Sequence, residues 1–140
     1  MNNSLSIFCD VGARGNPGPA ASAFVVRDST GKTLHKQGFY LGTATNNQAE
    51  YQAVIESLKW LLNNCKTDQL VNYYLDSLLV VNQLKGLYKI KDTILKLKYL
   101  EIKNLIESGK SNIANFIYIP REQNSPADEL VNLTLNKANF

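Results

Sequence analysis

The chain reads as an α/β protein: a five-stranded mixed sheet, three antiparallel strands followed by parallel ones, with helices on both faces. Three observations predict it. Alternating apolar and polar residues recur in the N-terminal third, where two such segments flank the tight turn DSTGK, Asp28 to Lys32. After Thr45, helical and strand-like segments alternate. No linker, repeat or low-complexity tract divides the 140 residues, a length that fits one domain, 1–140.

The elements follow in order. Leu5 to Val11 alternates and is the first strand. GARGNPGPA, starting at Gly12, is a turn-rich loop. Ala21 to Arg27 is the second strand, and Thr33 to Leu41 the third, across the hairpin turn. Thr45 to Asn64 has helical spacing, with Tyr51, Val54, Ile55, Leu58, Leu61 and Leu62 on one face. Thr45 and Gln48 form a capping box at its start. Leu70 to Leu75 is the fourth strand, and Ser77 caps a short helix ending near Lys85 and Gly86. Asp92 to Glu107 is a helix with Ile94, Leu97, Leu100 and Leu105 as its apolar positions. Ile113 to Ile119 is the fifth strand, and Ser125, Pro126, Ala127 and Asp128 open the last helix.

Composition narrows the function. Hydrophobic residues make up 44% and charged residues 19%, which excludes a disordered chain. No apolar run reaches about 18 residues, and MNNSLSIF has no signal-peptide pattern, so no membrane partner and a cytoplasmic location are expected. A net charge of +3 permits a nucleic-acid partner without demanding one. Cys9 and Cys65 form no metal motif and read as free buried thiols. His35, the one histidine, reads as a strand residue, which leaves no Ser-His-Asp triad and no zinc site.

Four acids stand out. Asp10 lies in a strand interior, where Asp is disfavoured, on the face opposite Ile7 and Cys9. Glu50 precedes Val54 by four residues and so sits beside the core-facing stripe of its helix. The other reading of Glu50 is a first-turn acid complementing the helix dipole. Asp76 ends the fourth strand, where open α/β sheets bind ligands, or it caps the helix that follows. Asp128 is either a fourth site acid or the acidic partner of a Ser125 capping box. Four carboxylates cannot share a site as bare anions, because like charges raise one another's pKa. Mg²⁺ resolves the conflict, since it prefers carboxylates, water and phosphate oxygens. Two such ions roughly 3.5–4 Å apart make a site for in-line phosphodiester hydrolysis.

DVGARGNPGPA, TNNQAEY, LDSLLVVNQLKG and IPREQNSPADELVN, in that order, resemble the four signature blocks of type 1 ribonuclease H, in its small bacterial and archaeal form. The blocks span Asp10 to Asn132. The resemblance implies a ribonuclease H-like fold and an endoribonuclease. Such an enzyme cuts the RNA strand of RNA/DNA hybrids, leaving 5′-phosphate and 3′-hydroxyl ends. It implies two Mg²⁺ ions, with Mn²⁺ as a substitute. Asp10 would bridge both ions, Asp128 would complete the site that activates water, and Glu50 and Asp76 would hold the ion at the leaving 3′ oxygen. Glu50 would also accept a hydrogen bond from a 2′-hydroxyl, the group that tells RNA from DNA. Asn16, Asn46 and Asn47 match minor-groove contacts, and Thr45 matches a threonine that holds a phosphate of the DNA strand. Read without the resemblance, these asparagines serve turn and cap geometry equally well.

The chain also departs from the family pattern. Val11 replaces a common glycine, Leu75 a serine, and Leu78 a polar residue that contacts the minor groove. The loop IPREQNSP lacks the histidine that many members carry. Arg121, Glu122 and Asn124 are its candidate replacements in proton transfer or product release, and Arg121 joins the catalytic candidates. The alternative for Arg121 and Glu122 is a pair of solvated loop charges. The chain lacks the extra helix and basic protrusion that some members use to grip the DNA strand; Lys85, Lys89, Lys91, Lys96 and Lys98 cluster after the short helix, either as a weaker phosphate contact or as a solvated face. Tyr88 packs either on a sugar or in the core. A non-catalytic binding domain of the same fold is the competing function, and nothing demands more than a monomer.

Overall fold

A computed structural model describes residues 4–64, 69–108 and 113–138, the side chains of Ile113, Ser125 and Pro126 excepted. Cys65 lies outside the described residues. The elements are β1 (Ser4–Ala13), β2 (Gly18–Asp28), β3 (Thr33–Ala44), α1 (Asn46–Asn64), β4 (Leu70–Leu75), α2 (Leu78–Leu84), α3 (Thr93–Ser108), β5 (Ile113–Tyr118) and α4 (Ser125–Lys137), with a 3₁₀ turn at Arg121–Gln123. The sheet order is β3-β2-β1-β4-β5. β1, β2 and β3 pair antiparallel, and β1–β4 and β4–β5 pair parallel.

Residue alternation sorts the two faces of the sheet. Ile7 and Cys9 of β1 stand beside Val26 and Phe24 of β2, and all four lie in the main core with α1 and α3. Ala21 and Ala23 face the other way, onto Val131 and Leu135 of α4. Asp10 is the cross-strand partner of Ala23 and therefore faces α4, opposite Ile7 and Cys9 as expected. Small residues on this face let α4 approach closely. A Cβ on Gly12 would lie 2.8 Å from Val131 Cγ1, and one on Gly38 would overlap Thr134 Oγ1.

Three sequence expectations need correction. Gly12 and Ala13 belong to β1, and Gly18 to Ala20 to β2, so the turn-rich loop shrinks to residues 14–17. Glycine at position 12 serves close helix packing and not a turn. The third strand runs on to Ala44, because Gly18 pairs with Ala44 at the far end of the β2–β3 ladder. In α3 the buried residues are Leu95 and Ile102, while Ile94, Leu97 and Leu100 are exposed. That helix is apolar on two faces, and of the four positions that periodicity selected only Leu105 packs against the core.

The helix starts follow their local chemistry. Thr45 N–H donates to Gln48 Oε1 at 3.0 Å, and Gln48 N–H donates back to Thr45 Oγ1 at 3.1 Å, a reciprocal capping box. Val80 N–H donates to Ser77 Oγ at 3.3 Å, and Leu95 N–H to Asp92 Oδ1 at 3.0 Å. Of the predicted stripe of α1, Tyr51, Val54, Ile55, Leu58 and Leu61 are buried, and Leu62 is exposed. His35 stacks on Trp60, ring centroids 4.8 Å apart, as a packing residue of β3.

Candidate active site

The site is built at a fork in the sheet. β1 and β4 run parallel, with Ser4 beside Leu70 and Phe8 beside Tyr74, the last pair of the ladder. Two residues further along each strand come Asp10 and Asp76, so the register brings both carboxylates level just where the strands part. This is the carboxyl end of two parallel strands, the usual ligand crevice of an open α/β sheet. Ser77, not Asp76, caps α2, which frees the Asp76 carboxylate. Glu50 enters from the first turns of α1. Both Asp10 and Glu50 are 3% exposed.

Asp10, Val11, Gly12, Ala13, Asn46, Asn47, Glu50, Asp76, Ser77 and Arg121 line one open cleft of about 400 Å³. Three of the four predicted acids thus share a cavity with two of the predicted asparagines. Asp128 is not among the lining residues, but its Oδ1 lies 4.0 Å from a guanidinium nitrogen of Arg121, which is. It is near enough to add to the repulsion felt by Asp10. The capping-box alternative for Asp128 fails by one residue: the N-cap is Asn124, and Ser125 is already in the helix. Asn16 sits on the rim, where its Oδ1 accepts from Asn46 N–H at 3.0 Å. Thr45 adjoins it, with its Oγ1 engaged in the capping box. Leu78 is exposed at the start of α2, and Tyr88 is exposed as well, which rules out core packing for that ring.

Electrostatics mark the cleft as strained. Burial pushes the Asp10 carboxyl up to about 8, and Asp76 adds to the rise, while a hydrogen bond from Val11 N–H opposes it. Burial, then Asp76 and Asp10, raise the Glu50 carboxyl well above the usual range. Asp10 Oδ2 and Glu50 Oε1 are buried without a hydrogen-bond partner. Hard, unpartnered carboxylate oxygens packed together suit a hard divalent cation. Among the described residues, no three Asp, Glu, His or Cys side chains are grouped tightly enough to hold a metal ion by themselves.

One residue has a different place from the one its loop suggested. Asn124 is fully buried, and its Nδ2 donates to Cys9 C=O at 2.7 Å and to Asp76 Oδ2 at 3.1 Å. It is fixed in the protein and is no mobile stand-in for a loop histidine. Nothing local in IPREQNSP signals this, because both acceptors are remote in sequence.

The chain matches the family model described as reverse transcriptase-like over residues 8–134. It is 34% identical to the ribonuclease HI of Halobacterium salinarum over 131 residues, covering 94% of this chain and 64% of that protein. It is 30% identical to the ribonuclease H of Helicobacter acinonychis, covering 95% of this chain and 94% of that one. Superposition on LC11 ribonuclease H1, isolated from compost and solved in complex with an RNA/DNA hybrid, gives a TM-score of 0.91 at 41% identity. It covers 97% of this chain and 99% of that one. The chain spans only 35% of the length of the mycobacterial relatives it matches, among them a bifunctional protein of Mycobacterium tuberculosis. Taken with the acid-lined fork between β1 and β4, these likenesses establish that the chain belongs to the reverse transcriptase-like family, as a type 1 ribonuclease H.

Proposed function

We propose that this domain, 1–140, is an endoribonuclease that hydrolyses the RNA strand of RNA/DNA hybrids, leaving 5′-phosphate and 3′-hydroxyl ends. The observation that carries the reading is the alignment of Asp10 with Asp76 at the strand fork, beside buried Glu50, in a cleft edged by Asn46 and Asn47. The hybrid held by LC11 ribonuclease H1 supports the same substrate for this chain.

Ribonucleases H are metal-dependent as a family. Asp10, Glu50, Asp76 and Asp128 would hold two Mg²⁺ ions, with Mn²⁺ as a substitute. When bound, such ions activate the attacking water and stabilise the leaving 3′ oxygen. The chain's own residues do the rest. Asp10 and Glu50 each bring to the cleft lining a buried oxygen that has no hydrogen-bond partner. Asn46, Asn47 and, across the rim, Asn16 offer amides that donate and accept, which suits minor-groove edges and 2′-hydroxyls. Thr45 caps α1 where backbone N–H groups welcome a phosphate of the DNA strand. Arg121, exposed beside Asp128, assists at the water side or in product release.

The test is cleavage of end-labelled RNA/DNA, DNA/DNA and RNA/RNA duplexes with Mg²⁺, with Mn²⁺ and in EDTA, by the parent and by Asp10→Asn. Metal-dependent cleavage of the hybrid by the parent alone is expected. Hybrid binding without cleavage under either metal would overturn the reading in favour of a non-catalytic binding domain.

A further inference from the structure

We infer that Asn124 is the positioning residue of this site, holding the strand fork open at the spacing the carboxylates need. The inference rests on the proposed metal-dependent reading. Where the β1–β4 ladder ends at Phe8 and Tyr74, the next carbonyl of β1, Cys9 C=O, has lost its strand neighbour. The Asn124 amide takes that place, with Nδ2 to Cys9 C=O at 2.7 Å. Its second N–H holds Asp76 Oδ2 at 3.1 Å. Only nitrogen can donate to a carbonyl and a carboxylate, so both partners fix the orientation of the amide. Its backbone joins the third element: Asp128 N–H donates to Asn124 C=O at 3.1 Å in the first turn of α4. One fully buried residue therefore ties the residue beside Asp10, the Asp76 carboxylate and the start of the Asp128 helix.

Asn124 touches neither substrate nor metal in this account. It acts through Asp76 by holding one of its two carboxylate oxygens. Without it, Asp76 is free to turn, and a buried carbonyl and a part-buried carboxylate lose their donor. The consequence is specific: metal affinity falls, while hybrid binding without metal does not.

The test compares the parent, Asn124→Ala and Asn124→Ser by Mn²⁺ calorimetry without nucleic acid. Hybrid binding in EDTA, thermal unfolding and the Mn²⁺ dependence of cleavage complete the comparison. The expected result for Asn124→Ala is a Mn²⁺ dissociation constant raised at least tenfold, cleavage partly restored at high Mn²⁺, and hybrid affinity in EDTA within twofold. Asn124→Ser keeps one donor and is expected to fall between, which also serves if the alanine variant does not fold. A Mn²⁺ affinity within twofold of the parent in a folded variant would overturn the inference, as would a parent that binds no metal. If the parent binds Mn²⁺ but cuts no hybrid, the enzyme reading fails, while the calorimetry still decides the role of Asn124.

Discussion

Glu50 shows at the scale of one residue what the site costs the fold. It is a buried acid whose Oε1 has no internal partner, and Asp10 is in the same position. Because the folded-state pKa of Asp10 is raised from 3.8 to about 8, folding favours its protonated form. That stabilising contribution is complete below about pH 4 and is lost as pH rises through about 8. Glu50 shifts in the same direction. In EDTA the thermal midpoint of the parent is therefore expected to fall between pH 5 and 8, more steeply than that of Asp10→Asn. Mg²⁺ or Mn²⁺ should flatten the slope; a parent and variant with parallel profiles would contradict it. Glu50→Gln should raise metal-free stability by about 0.5–2 kcal/mol, a gain typical of relieving a strained site. It should lower cleavage by at least about a hundredfold, as loss of several kcal/mol of charge stabilisation implies. Asp10 and Glu50 stand out in the sequence because an acid is out of place in a strand interior or beside a core-facing stripe, whereas Asp76 and Asp128 suit helix starts and stand out only in company. The role of Asn124 was not, because its partners, Cys9 and Asp76, meet it only through the register of β1 and β4.

Packing at the scale of elements explains which parts of the fold the pattern gave away. The core face of α1 could be read because its other face is polar, and the capping box at Thr45 and Gln48 marked its start. The face of α3 could not, since Ile94, Leu97 and Leu100 compete with Leu95 and Ile102 in the same helix. Strand ends were hidden by glycine, which signals a turn and a close approach alike. Two substitutions in α3 discriminate its faces in chemical denaturation. Leu95→Ala should cost about 2–5 kcal/mol and Leu97→Ala no more than about 0.5 kcal/mol. Equal costs would mean that the outer face is covered. On the other side of the sheet, Gly38→Ala forces a methyl against Thr134 Oγ1 and Leu130. It should destabilise by about 1–3 kcal/mol, as overpacking does. Adding Thr134→Ala should restore part of that loss; no recovery would place the strain elsewhere.

Charge distribution is a property of the whole molecule, and it decides how the domain would grip a hybrid. A net charge of +3 is too small to bind a polyanion by bulk attraction, so local placement of the lysines matters more. Lys85, Lys89, Lys91 and Lys96 are exposed on the segment from the end of α2 into α3. Lys98 is committed to the protein, its Nζ donating to Gln52 Oε1 at 2.7 Å. Each lysine that neutralises a phosphate releases counterions and adds about one to the magnitude of the logarithmic salt slope. Lys89→Ala with Lys91→Ala should therefore weaken hybrid binding and flatten the salt slope by up to about two, leaving Mn²⁺ affinity unchanged. Lys98→Ala should leave the slope alone, because its ammonium is already held by α1. Fluorescence anisotropy with a labelled hybrid in EDTA, from low to moderate salt, measures all three. A double variant with the parent's slope would return those lysines to the role of a solvated face. The grip would then rest on the asparagine-lined cleft and the capped start of α1.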